Sequence, residues 1–188
     1  MKDNSPSRLF VLVGPSGVGK STILRHFESR FAAESSPKYT TRPSRNTEED
    51  ARDFIHCVPP DFPKDGVLAF ESYGHLFGIQ LNAIAESFRK DRHHVTIVGS
   101  NDTAAKLLTI FGNRVVVIFV FCDFSVLKER IMVSADVHRS GRWAAISDEI
   151  DHIYQELECV DFVINNSKSF EATFNQIETI VYRVTCVP

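Results

Sequence analysis

Gly14-Pro15-Ser16-Gly17-Val18-Gly19-Lys20-Ser21-Thr22 has the G-x-x-x-x-G-K-[ST] form of a phosphate-binding loop. Before it, Leu9-Phe10-Val11-Leu12-Val13 is an unbroken apolar run, the pattern of a parallel strand buried on both faces. After it, Ile23, Leu24, Phe27 and Phe31 recur at helical spacing between Ser21 and Ala33. Strand, glycine loop and helix thus stand in the order the chemistry needs. Gly14, Gly17 and Gly19 allow a tight turn, so that backbone N–H groups and the positive end of the helix converge on phosphate oxygens. Lys20 is placed to reach the β- and γ-phosphates of a nucleotide. The Ser21 hydroxyl is placed to bind Mg2+, which keeps most of its waters and bridges phosphates.

The 188 residues, 43% of them hydrophobic, supply a core for one domain covering 1–188. With 21 Lys and Arg against 24 Asp and Glu, the formal charge of -3 marks neither a general nucleic-acid binder nor a membrane-surface protein. Phosphate recognition must then come from locally placed arginines. Cys57, Cys122, Cys159 and Cys186 lack paired metal spacing and are expected to be reduced, as in the cytoplasm. Met1 to Arg8 is polar, and no run approaches the ~20 apolar residues of a membrane span.

Beyond the first helix, Lys38-Tyr39-Thr40-Thr41-Arg42-Pro43-Ser44-Arg45 is dense in cations and hydroxyls. Arg42 and Arg45 on a proline-constrained loop suit a phosphate clamp, because a guanidinium offers planar paired donors; a solvated basic loop is the plain alternative. The acidic Glu48-Glu49-Asp50 leads to a short strand over Asp53 to Val58, which Pro59, Pro60 and Pro63 end. Val67 to Tyr73 reads as a second strand and Gly74-His75-Leu76-Phe77-Gly78 as a turn bounded by glycines. Leu81 to Arg89 is an amphipathic helix, His94 to Val98 a strand, Asn101 to Phe111 a helix capped by Asn101, and Val115 to Phe121 the most apolar strand. Ser125 to Val133 continues as a helix. Ser134 to Ala145, polar and holding Gly141, reads as a lid that brings Arg139 and Arg142 onto a transferring phosphoryl group. A helix over Ile146 to Leu157, a strand over Asp161 to Ile164 and a helix over Ser169 to Val184 complete the chain.

This order of motifs resembles the guanylate kinase superfamily of nucleoside-monophosphate-kinase-like folds. The likeness rests on the phosphate loop, on Thr40-Thr41-Arg42-Pro43-Ser44-Arg45, on Phe77-Gly78 and on Val163-Ile164-Asn165-Asn166. It implies ATP as donor, Arg42 and Arg45 on the acceptor's phosphate, and Asn165 close to the adenine. Phe54 stands where guanylate kinases carry a phosphate-binding tyrosine, Leu68 where they carry a guanine-reading glutamate, and Gly99-Ser100 where they carry paired aspartates. Ile131-Met132-Val133-Ser134 replaces the usual arginine-rich pattern after Arg130. Ala69 to Ile79 and Gly99-Ser100 are similar instead to the ribose 1,5-bisphosphate phosphokinases, which make phosphoribosyl pyrophosphate.

The reading is therefore a three-layer α/β P-loop fold, a parallel core sheet with helices on both faces, a small acceptor-binding insertion at about 35–80 and a lid at about 134–145. It is expected to transfer the γ-phosphoryl group of ATP, with Mg2+, to a phosphorylated small molecule. Ribose 1,5-bisphosphate is the acceptor put first, with GMP as the alternative, and a guanylate-kinase-like interaction module as the reading from another class. A monomer or homodimer without nucleic-acid or membrane partners is expected.

Overall fold

The computed structural model describes residues 6–45, 47–72, 74–133, 143–144, 146 and 158–186. A four-stranded sheet forms its centre, from β1 (Leu9–Val13), β6 (His94–Ile97), β7 (Val115–Phe121) and β8 (Phe162–Asn165), in the order β6-β1-β7-β8. Every neighbouring pair is parallel. Strand alternation sends Phe10 and Leu12 to one face, with Ile23 and Phe27 of α1 (Lys20–Phe31), Leu127 and Ile131 of α5 (Phe124–Val133) and Ile177 and Val181 of α6 (Phe170–Cys186). It sends Leu9, Val11 and Val13 to the other, with Ile84 of α3 (Leu81–Arg89) and Ala104 and Leu107 of α4 (Asn101–Phe111). Helices on both faces of a parallel sheet make the three layers expected from the sequence. Each fully buried side chain of this kind contributes roughly 1.5–3 kcal/mol, so β1, buried from end to end, is the strand around which the core closes.

A second sheet stands between β1–α1 and α3. Its strands are β2 (Lys38–Thr40), β3 (Phe54–His56), β4 (Val67–Ser72) and β5 (His75–Gln80), in the order β3-β2-β5-β4. β2 and β3 are parallel, and β5 runs antiparallel to both of its neighbours.

Three local expectations need correction. His75 to Gly78 is not a turn but most of β5; the chain reverses before it, where Gly74 takes φ +71°, and β4 pairs with β5 from Val67↔Gln80 to Ser72↔His75. The acidic run opens a short helix, α2 (Glu48–Asp53), whose first N–H groups favour carboxylates and whose Thr47 hydroxyl accepts from the Asp50 N–H at 3.1 Å. Helix α4 is capped by Ser100 rather than Asn101: Ser100 keeps extended backbone and accepts from the Thr103 N–H at 3.3 Å, while Asn101 already lies in the first turn. The lid with Arg139 and Arg142, and most of the helix expected over 146–157, lie outside the described residues. The far end of that stretch is anchored, with the Trp143 ring 4.8 Å from that of Phe124 and Ile146 fully buried.

His94 joins the layers at the start of β6. It is buried, its Nδ1 lies 2.9 Å from the Ser87 hydroxyl, and that hydroxyl donates to Glu34 Oε2 at 2.8 Å. Burial pulls the imidazole down to about 4, with Glu34 pulling weakly the other way. The folded protein therefore holds His94 neutral, and the stability this gives is complete above the unfolded value of 6.5 and lost as the pH falls towards 4. Unfolding titrations should lose on the order of 2 kcal/mol between about pH 7 and about pH 5, and His94→Asn should flatten that slope. An equal slope in the variant would contradict this assignment.

Candidate active site

The phosphate loop lies between β1 and α1 and is shaped by contacts with the far side of the sheet. Gly14 has φ +142°, and a Cβ there would collide with the Val120 carbonyl of β7. Gly19 has φ +101°, and a Cβ there would meet the Asn166 side-chain amide. Only glycine allows both the turn and the approach. Gly19 caps α1 without a side chain, and the first turn holds no acidic residue. The helix therefore presents its positive end and its N–H groups undiminished, which fits a phosphate group. Lys20 donates from Nζ to the carbonyls of Gly14 at 2.6 Å and Pro15 at 2.8 Å, so its ammonium lies over the start of the loop. Ser21 is exposed in the first turn of α1. A single hydroxyl is the type of donor with which Mg2+ is held chiefly through phosphates and water, so the residues present fit that ion.

Two residues not given a role above complete the loop. Asn166, fully buried, donates from Nδ2 to the Val18 carbonyl at 2.8 Å and accepts from the Thr173 hydroxyl at 2.7 Å. Arg130 of α5 donates to the Asn166 carbonyl at 2.9 Å and reaches the Val18 carbonyl at 3.5 Å. Asn165, the residue expected near adenine, accepts from the Ser167 N–H at 2.8 Å through its side-chain oxygen, and its backbone bonds to the Gln176 side chain. It stands at the carboxyl end of β8, beside the loop that Asn166 braces.

Across from this loop, Arg42 and Arg45 are organised by one carboxylate. Asp50 pairs with the Arg42 guanidinium, accepts from the Ser44 hydroxyl at 3.2 Å and the Arg45 N–H at 2.9 Å, and lies 2.8 Å from His56 Nε2. His56 Nδ1 meets the Arg42 carbonyl at 2.8 Å; since that carbonyl only accepts, Nδ1 carries a proton. Burial opposes the charge on Asp50, but the Arg42 bond, the Arg45 N–H and the nearby cations outweigh it and hold the carboxyl down at about 2. Asp50 is thus ionised at any ordinary pH. Thr40 and Thr41 tie the same loop to β5 through the Leu76 backbone at 3.0–3.1 Å.

The two sides are joined by Arg25 of α1, which pairs with Asp53 of α2, and by Lys38 Nζ, which donates to the Ile97 carbonyl at 3.2 Å. Gly99 packs against β4 as well: a Cβ on it would lie 3.2 Å from the Ser72 hydroxyl and 3.8 Å from the Phe70 ring. On β4, Leu68, Phe70 and Ser72 share that inward face, while Ala69 and Glu71 are exposed on the other. Glu71 is therefore on the face of β4 turned away from Gly99. Ser100 spends its hydroxyl on capping α4, and Asp102 pairs with Lys106 at 2.7 Å on the surface. Among the described residues no three His, Cys, Asp or Glu side chains are grouped to hold a metal ion, and the cysteines are free thiols.

Comparison with known proteins fits this geometry. The guanylate kinase family model matches residues 6–183. The guanylate kinase of Polaromonas sp. is 26% identical over 183 residues, covering 94% of this chain and 87% of that protein. That of Thermotoga maritima is 29% identical over 189 residues, covering 90% and 91%. A guanylate kinase from Anaplasma phagocytophilum shares the fold, with a TM-score of 0.71 at 21% identity over 97% of this chain and 88% of that one. With the family matched along nearly the whole chain, this protein belongs to the guanylate kinase family of ATP-dependent phosphotransferases.

Proposed function

We propose that the chain moves the γ-phosphoryl group of ATP onto a phosphate oxygen of a small acceptor, and that GMP is that acceptor, giving GDP and ADP. Family membership and the guanylate kinases among its relatives support GMP, and they reverse the order in the sequence reading, which put ribose 1,5-bisphosphate first. The observation that carries the reading is the pairing of an uncapped, glycine-built α1 terminus with an arginine loop organised by an ionised Asp50.

In this mechanism the backbone of Gly14 to Gly19 and the Lys20 ammonium hold the donor's phosphates. The Ser21 hydroxyl would hold Mg2+, which would supply charge neutralisation at the donor's phosphates. Arg42, held by Asp50, and Arg45 grip the acceptor's phosphate and present one oxygen in line with the γ-phosphorus; that oxygen forms the new P–O bond as the bond to ADP breaks. Arg139 and Arg142 close over the equatorial oxygens, and Asn165 borders the adenine. Catalysis is positioning and electrostatic stabilisation, with no covalent enzyme intermediate. The setting is cytoplasmic; no described helix is long and apolar enough to cross a membrane.

A second acceptor rests on a specific observation. Leu68 faces inward where a glutamate would read guanine, Glu71 faces outward, and Phe70 and Ser72 fill the space against Gly99. A base recognised by hydrogen bonds does not lose such partners without cost, and ribose 1,5-bisphosphate needs none of them.

ADP release with ATP and Mg2+, followed over GMP, dGMP, AMP, ribose 5-phosphate and ribose 1,5-bisphosphate, separates the readings. Turnover of GMP is expected; turnover of ribose 1,5-bisphosphate alone would install the second acceptor. Binding of ATP with no acceptor turned over would favour an interaction module. Lys20→Ala should lower turnover by about 100-fold or more. Asp50→Asn should raise the acceptor KM by about 10-fold while leaving the ATP KM near wild type, because it loosens Arg42 without touching the phosphate loop.

A further inference from the structure

Lys38 is a cation that the roles above leave unused. It opens β2, where it pairs in parallel register with Phe54 of β3. Its ammonium lies 5.3 Å from the centroid of the Phe54 ring, the ring that the Arg42 guanidinium approaches to 4.9 Å. Two cations therefore approach the ring of Phe54, where the resemblance to guanylate kinases implies a phosphate-binding phenol. The ammonium also reaches the Ile97 carbonyl at the carboxyl end of β6, next to Gly99-Ser100. The carboxyl ends of parallel strands are where α/β proteins take their ligands. Among the described residues, Ile97 accepts its one hydrogen bond, and an ammonium has three protons to donate.

Resting on the reading of this cleft as an acceptor site, we propose that the Lys38 ammonium binds the acceptor's phosphate, supplying at Phe54 the donor that the missing hydroxyl would have given. The ligand chemistry is a phosphate monoester dianion, shared by GMP and ribose 1,5-bisphosphate. A dianion beside the Phe54 ring within reach of both Lys38 and Arg42 would be held by charge from each, and the apolar ring would exclude water that competes for it. Lys38 is also the residue of the cleft whose charge is conditional. Burial lowers it to about 8, with Asp53 of α2 raising it, Arg25 of α1 lowering it further and Arg42 across the ring. Its grip on an anion is complete below about 8 and fades above it.

Calorimetric titration of GMP and of ribose 1,5-bisphosphate into the intact protein, wild type against Lys38→Met and Lys38→Arg, tests this. Methionine keeps the buried stem without the charge. The acceptor that binds wild type should bind Lys38→Met about 10-fold or more weakly, ATP should bind all three alike, and Lys38→Arg should restore the acceptor. Raising the pH from about 7 to about 9 should weaken acceptor binding in wild type more than in Lys38→Arg, a difference that holds even where Lys38→Met fails to fold. Equal affinity of wild type and Lys38→Met, or equal pH dependence of wild type and Lys38→Arg, overturns the role of Lys38 and leaves the kinase reading standing. Failure of both acceptors to bind wild type overturns the two together.

Discussion

The Asp50 carboxylate is buried and ionised, and the loop of Arg42, Ser44 and Arg45 takes its shape from it. A carboxylate taken out of water is costly unless donors surround it. Here they come from the Arg42 side chain, the Arg45 backbone and the Ser44 hydroxyl, three groups within four residues of one loop. The loop cannot relax without leaving that charge unsatisfied. An arginine that would otherwise sample many rotamers is thus held in one before any anion arrives, which spares the binding step that entropy. The donor side is rigid for a different reason. Gly14 and Gly19 touch β7 and Asn166 so closely that the backbone has one path, and Arg130 fastens Asn166 to the same loop.

How much of this could be read from the residues depended on how local each signal was. The phosphate loop announces itself because its glycines, lysine and serine are adjacent in the chain, and β1, β7 and α3 because their apolar patterns are long and regular. Helix α2 was missed because Glu48-Glu49-Asp50 looks like a solvated acidic run; the signal was Thr47 three residues before Asp50, a cap whose partner is the backbone. Strand β5 was missed because Gly74 and Gly78 bracket the stretch read as a turn, whereas only Gly74 makes the turn and Gly78 lies in the strand against the Phe62 ring. Arg130 and Asn166 meet the phosphate loop across 112 and 148 residues of sequence, and no local pattern shows such a contact.

The proposed acceptor site combines stretches that resemble the family with stretches that depart from it. The phosphate loop and the arginine loop are the stretches that resemble the family, while Phe54, Leu68 and Gly99 offer no side-chain hydrogen-bonding groups. Two of these positions meet the chain's own side chains: Phe70 and Ser72 lie against Gly99, and Lys38 and Arg42 approach Phe54. Around Phe54 and Gly99 the chain thus sets cations and aromatic packing, surroundings of the kind that favour charge and shape.

Phosphorus NMR of the reaction mixture tests the central claim most directly, because it reports where the γ-phosphoryl group goes. With ATP, Mg2+ and GMP or ribose 1,5-bisphosphate, the account predicts that the γ signal of ATP disappears as a new pyrophosphate pair grows on the acceptor, in step with ADP. Appearance of inorganic phosphate alone, with the acceptor unchanged, would contradict it.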